Sequence, residues 1–131
     1  MPLARESRRL IIIRAVTEEI HPVAGVDRND GTTVVRLAGE LDLYNAHVVR
    51  DALLDAAGAN PSRLVVHLGE VTFMDSTALG VLIEARKSLE NRRAFLLCCP
   101  GLETRRALEV SGLDKHFSVH ATLDEALAAD L

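Results

Sequence analysis

Short apolar, β-branched runs that alternate with segments of helical spacing predict an α/β domain, with a mixed, mainly parallel sheet and flanking helices. Residues 63–68 carry apolar side chains on both faces, at Leu64, Val65, Val66 and Leu68, as a strand covered on both faces requires. Residues 94–99 repeat the pattern before Pro100 and Gly101 stop it. Between these runs Ala78, Leu79, Leu82, Ile83, Ala85 and Leu89 recur on one broad helical face, with Thr77, Gly80, Val81, Glu84, Lys87 and Ser88 roughly opposite.

The elements follow in order. A strand over residues 33–38 is introduced by the turn signal Asn29-Asp30-Gly31. An earlier segment, residues 18–26, suits the other arm of that hairpin, with Pro22 confining it to a sheet edge. Asn45 is placed to cap a helix whose residues Ala46, Val49, Leu53, Ala56 and Ala57 share a face, and Gly58 and Pro61 end it. The strand at 63–68 leads into a helix opened by Asp75 and Ser76. After the strand at 94–99, a helix over 102–111 ends at Gly112, and residues 117–120 form a last short strand. Thr122-Leu123-Asp124-Glu125 has the capping-box spacing that opens a final helix. Strands and helices alternating at this length imply right-handed crossovers.

Composition bounds the function. A chain of 131 residues with 48% hydrophobic and 26% charged residues can close one core without disulfides or metals. Only 3% of residues are aromatic and the formal net charge is -4, which argues against stacking platforms and a basic face, so no direct nucleic-acid partner is expected. No apolar run reaches membrane-spanning length, and the run before Arg14 is too short for a secretion signal. A cytoplasmic protein with no membrane partner is expected. Cys98 and Cys99, adjacent in a predicted strand, should point to opposite faces as two small apolar side chains without a disulfide. His21, His47, His67, His116 and His120 show no metal-ligand spacing, so neither a metal nor a cofactor is expected. Ser76 lacks a G-x-S-x-G elbow, and no Gly-rich loop precedes a lysine. The domain should be acted upon rather than act as an enzyme.

The densest chemistry lies in Phe73-Met74-Asp75-Ser76-Thr77-Ala78-Leu79-Gly80, where an apolar run passes into a helix through an acid and two hydroxyls. Ser76 falls in the first turn or at the cap, facing amides without intrahelical partners and the positive end of the helix dipole. A phosphate suits such a place. Local capping alone also accounts for Asp75 and Ser76, and a turn for Asp42. Gly80 costs about 1 kcal/mol relative to Ala inside a helix. Something is therefore expected to approach it, whether a partner or another element of the domain.

Asp75-Ser76-Thr77-Ala78-Leu79-Gly80 resembles the D-S-[ST]-[AG]-[LIV]-G signature of the STAS domain, named for sulfate transporters and anti-sigma factor antagonists. Upstream, Gly39-Glu40-Leu41-Asp42-Leu43-Tyr44-Asn45-Ala46 resembles the family's G-E-[LIV]-D-x-x-[NTS]-A signature. The resemblance starts near Asp30 and runs to the end of the chain, which suggests an N-terminal extension over residues 1–16 and a STAS domain over 17–131. It implies the same α/β architecture. It also implies an anti-sigma factor antagonist that acts by partner switching in the regulation of transcription and stress responses. Such a protein binds an anti-sigma factor with serine kinase activity and is released when a motif serine, here Ser76, is phosphorylated; a serine phosphatase is a further partner. By resemblance Asp42, Tyr44, Asn45, Asp75, Thr77, Gly80, Val81 and Glu84 form the docking face. The other role that the resemblance implies is a non-phosphorylated STAS subunit of a transporter or of a stress-sensing assembly. The run Leu10-Ile11-Ile12-Ile13 is suited to pairing with the sheet edge or with a second copy of the chain.

Overall fold

The strands pair in the order in which the chain makes them. The computed structural model describes residues 20–131, in which one five-stranded sheet runs β1-β2-β3-β4-β5. The strands are β1 (Val23–Asn29), β2 (Thr32–Leu41), β3 (Arg63–Met74), β4 (Phe95–Cys98) and β5 (Ser118–His120). β1 is antiparallel to β2, and every later pairing is parallel. Helices α1 (Ala46–Gly58), α2 (Ser76–Ser88), α3 (Leu102–Val110) and α4 (Leu123–Ala128) alternate with the strands. Among the described residues, no helix is long and apolar enough to cross a membrane. The boundary expected near residue 16 and the Leu10-Ile11-Ile12-Ile13 run lie outside the described residues.

Local chemistry explains much of this. The β1–β2 hairpin turns through Asp30 at φ 52° and Gly31 at φ 81°, the pair of positive angles that matches strand twist in a two-residue loop. Pro22 stands just before the edge strand β1, where it takes no amide from the ladder. α4 opens as expected, with Glu125 N donating to Thr122 Oγ1 at 3.1 Å and Ala121 N donating back to Glu125 Oε1 at 3.2 Å. Gly112, at φ 77°, closes the turn after α3.

The main core lies between one face of the sheet and α1, α2 and α3. There Leu37, Leu64, Val66, Leu68, Phe95 and Leu97 meet Leu53, Leu82 and Leu108. α4 covers only part of the other face, where Val65, Leu96 and Cys98 pack with Ala126. Double coverage is why residues 64–66 of β3 and 95–98 of β4 are apolar without a break.

Three expectations need correction. β3 does not stop at Leu68 but continues to Met74, pairing with β2 alone once β4 has ended opposite His67. That half carries exposed Gly69, Glu70 and Thr72, while Val71 and Met74 stay buried in the main core. β4 is shorter than expected at both ends, and Cys99 follows it at φ 67° rather than continuing the strand. On α2 the buried arc is shifted: Val81 is buried, whereas Ile83 is only half-buried. The shift follows from α1 packing beside α2, a neighbour that periodicity alone does not reveal.

Candidate functional site

The two sequence motifs meet where β2 and β3 end side by side, Leu41 being the register partner of Met74. Register shifts between Arg36 and Ala38 and between Gly39 and Glu40 bend this end of the ribbon. Gly39 sits at the second shift with φ 81°, where a Cβ would lie 2.7 Å from Ile20 Cγ2. Only glycine fits without strain.

From Leu41 the chain turns into α1 through a loop held by its own side chains. Asp42 Oδ1 accepts from Tyr44 N at 2.9 Å and from Asn45 N at 3.2 Å. Asn45 precedes α1 as expected but does not cap it with its side chain. Its Oδ1 instead accepts from Asp42 N at 2.9 Å, and its Nδ2 donates to Glu40 O at 2.8 Å. The side chain turns back because the loop amide at Asp42 and the carbonyl at Glu40 together satisfy both ends of one carboxamide.

Asp75 joins this loop to the next motif. One carboxylate oxygen, Oδ1, caps α2 by accepting from Ala78 N at 3.0 Å, and the other, Oδ2, accepts from Leu43 N at 3.0 Å. Its own amide donates to Leu41 O at 3.0 Å. The polar residues Asp42, Asn45 and Asp75 are thus engaged within the fold, and they set the shape of the surface around them.

That surface consists of other side chains. Ser76, the first residue of α2, is exposed, as are Thr77 and Gly80. A Cβ placed on Gly80 would meet nothing within 4 Å, so no described element of the domain makes the close approach that a helical glycine suggested. Tyr44 is 84% exposed and Leu43 64%. Val81, expected on the docking face, is buried and turned toward the core. Glu84 is exposed and braces α2 to α1: both its oxygens accept from Arg50 Nε at 3.0 Å, and Arg50 Nη2 lies 2.9 Å from Oε2. Those bonds hold the Arg50 proton more tightly than usual.

Spacing gave no sign of two exposed apolar contributors, Leu43 and Phe73. Leu43 occupies an unspecified position of its motif, and Phe73 lies past residue 68, where the predicted strand ended. Phe73 borders a shallow cleft of about 270 Å³ with Met74, Glu103, Arg106, Ala107 and Val110, next to Asp75 in the chain. Spacing also hid a cluster of potential ligands. The histidines showed no metal-ligand spacing and the two thiols were expected on opposite faces, yet His67, Cys98 and Cys99 bring their ligand atoms within 4.8 Å of one another.

Comparison with known proteins places this arrangement. The family model of the STAS domain matches residues 24–126. The chain is 32% identical over 99 residues to the anti-sigma-F factor antagonist RsfB of Mycobacterium tuberculosis, covering 76% of this chain and 81% of that protein. The crystal structure of an anti-sigma factor antagonist from Mycobacterium paratuberculosis superposes with a TM-score of 0.74 at 34% identity, over 79% of this chain and 88% of that one. SpoIIAA, a Bacillus cell fate determinant and anti-sigma factor antagonist, has been solved unphosphorylated and phosphorylated. These structures superpose with TM-scores of 0.67 and 0.60 at 25% identity, each over 79% of this chain and over 91% and 95% of SpoIIAA. These relatives are named as regulators rather than as catalysts. With both motifs joined at one end of a mixed α/β sheet, the chain belongs to the STAS domain family.

Proposed function

We propose that this protein is an anti-sigma factor antagonist that works by partner switching. In its unphosphorylated form it docks on an anti-sigma factor with serine kinase activity, and phosphorylation of Ser76 ends the complex. A serine phosphatase resets it, and the cycle runs in the cytoplasm. The observation that carries this reading is an exposed Ser76 at the first position of α2, amid exposed Tyr44, Leu43, Thr77 and Gly80. Relatives named anti-sigma factor antagonists support it, as does a relative solved in both phosphorylation states.

The physics of the switch is local. A phosphoryl group adds about -1.5 to -2 charges at neutral pH, on the residue next to Asp75 and one loop away from Asp42. The first intrahelical bond at this end runs from Leu79 N to Asp75 O, and Ala78 N is engaged by Asp75 Oδ1. The amides of Ser76 and Thr77 come earlier in the turn, where the helix offers no partner. Those amides and the helix dipole can hold a phosphate without refolding. Release then follows from charge and bulk placed in a docked interface. The open surface over Gly80 is the approach a partner needs.

Incubation with the candidate anti-sigma kinase and ATP, followed by intact-mass and tandem mass spectrometry, tests the assignment. One phosphoryl group is expected, on Ser76. A main product on Thr77, Ser88 or Ser111 would defeat it. Equal affinity of phosphorylated and unmodified protein for the anti-sigma factor would sink partner switching. Binding without any phosphoryl transfer would favour a non-phosphorylated STAS subunit.

A further inference from the structure

The cluster at His67, Cys98 and Cys99 is remote from Ser76. His67 and Cys98 are register partners across the β3–β4 pair, and Met74 lies seven residues further along β3. At about 3.3 Å per residue that is roughly 23 Å. One ligand atom from each of the three side chains falls within 4.8 Å of the other two.

Three features of the backbone bring them together. The parallel register sets His67 beside Cys98, the last residue of β4, which packs on the face covered by α4. Cys99 then takes φ 67°, an angle that L side chains rarely adopt, while its amide donates to His120 O at 2.9 Å. Extended backbone would send its thiol to the opposite face from Cys98; here it packs against the same cluster instead. Gly69 leaves room for the imidazole. A Cβ there would lie 2.6 Å from His67 Cε1 and 3.2 Å from Nδ1, and Gly69 N donates to Nδ1 at 3.1 Å.

Two thiols and an imidazole, with no carboxylate among them, are the donor set of borderline-soft and soft cations rather than of Mg²⁺ or Ca²⁺. We propose that His67, Cys98 and Cys99 form a three-ligand site for a thiophilic d10 cation, Zn²⁺ in the first instance, with a fourth position open to water. Binding forms two Zn–S bonds and one Zn–N bond, and the two displaced thiol protons pass to solvent. His67 contributes one imidazole nitrogen. A tetrahedral ion with Zn–S near 2.3 Å and Zn–N near 2.0 Å separates its ligands by about 3.5–3.8 Å, so side-chain shifts of about 1 Å close the site. The bound ion clasps β3 to the end of β4.

The test uses the full chain, reduced and stripped of metal, titrated with Co²⁺ and then with Zn²⁺. One equivalent of Co²⁺ is expected to give tetrahedral visible bands and a thiolate charge-transfer band, both bleached by one equivalent of Zn²⁺. Cys99→Ser and His67→Gln should each weaken Zn²⁺ binding at least about tenfold, by analogy with lost shell contacts at other sites. His116→Gln, a histidine outside the cluster, should leave it unchanged. Cys98→Ser can fail to fold because Cys98 is fully buried, so the assignment rests on the two half-exposed ligands, with circular dichroism confirming their fold. A folded wild type without the charge-transfer band at one equivalent overturns the proposal. So do identical titrations of wild type, Cys99→Ser and His67→Gln.

Discussion

Asp75 and Ser76 are neighbours with opposite duties. Asp75 uses both carboxylate oxygens to hold the loop and the helix, at Leu43 N and Ala78 N. Ser76 is exposed, as the proposed phosphorylation requires. Substitutions at the two positions should therefore fail differently. Ser76→Ala should keep the fold and bind the anti-sigma factor with little loss, whereas Ser76→Asp should bind more weakly, because an acid forced into a docked interface loses solvation without gaining a partner. Calorimetric titration of both variants decides, and equal affinity for Ser76→Asp and wild type would count against an electrostatic switch. Asp75→Ala should instead lose about 0.5–2 kcal/mol of stability as the cap disappears, visible in chemical denaturation. Gly80→Ala should raise stability by roughly 0.5–1 kcal/mol, since the added Cβ meets nothing within 4 Å. Gly80→Leu should fold but bind the anti-sigma factor less well, if a partner approaches there. Unchanged affinity for Gly80→Leu would move the interface off this face.

At the scale of the element, what the sequence made legible was local chemistry, and what it hid was neighbourhood. The Asp30-Gly31 turn, the Thr122 capping box and the cap at Asp75 depend on residues a few positions apart, and all three appear as expected. The far half of β3 was missed because its exposed Gly69, Glu70 and Thr72 break the apolar run, although β2 still pairs with it. Val81 was misread because α1 widens the buried side of α2 beyond one stripe. Asn45 was placed correctly at the start of α1, but its hydrogen bonds run back into the loop, an arrangement that helix-cap preference does not encode. The bend at the end of β2 has its own test. Gly39→Ala should cost about 1–2 kcal/mol for the left-handed backbone alone, and more if Ile20 cannot yield, because the new Cβ would sit 2.7 Å from its side chain. On α3, Thr104 is 1% exposed and its Oγ1 lacks a partner among the described residues. Thr104→Val should match or exceed wild-type stability, since an unsatisfied buried hydroxyl costs about 1–3 kcal/mol; a clear loss in thermal unfolding would mean that the hydroxyl has a partner after all.

Across the whole molecule, the sheet divides two kinds of chemistry. Its parallel centre is packed on both faces, while the far end of the β2–β3 ribbon, which carries both motifs, adds Leu41, Val71 and Met74 to the main core alone. The fold class was readable because alternating runs imply a covered parallel sheet, whereas the metal-ligand cluster was not, because only the β3–β4 register joins His67 to Cys98. The formal charge of -4 adds a molecular expectation. If repulsion drives release, the affinity gap between unmodified and phosphorylated protein should shrink between low and high salt, as the screening length falls from about 30 Å at 0.01 M to about 3 Å at 1 M. A gap that ignores ionic strength would assign release to bulk instead.

The bridge from Leu43 N to Asp75 Oδ2 has a consequence for anyone who wishes to move the proposed switch to another protein. Residues 73–80 look like a portable phosphorylation tag, but their leading acid is anchored in a loop contributed from far upstream. Grafted alone, the helix start would carry a carboxylate with one oxygen unclaimed and a serine whose setting is undefined. Residues 39–46 and 73–80 are tied by that bond, and a library that varies one should vary the other with it.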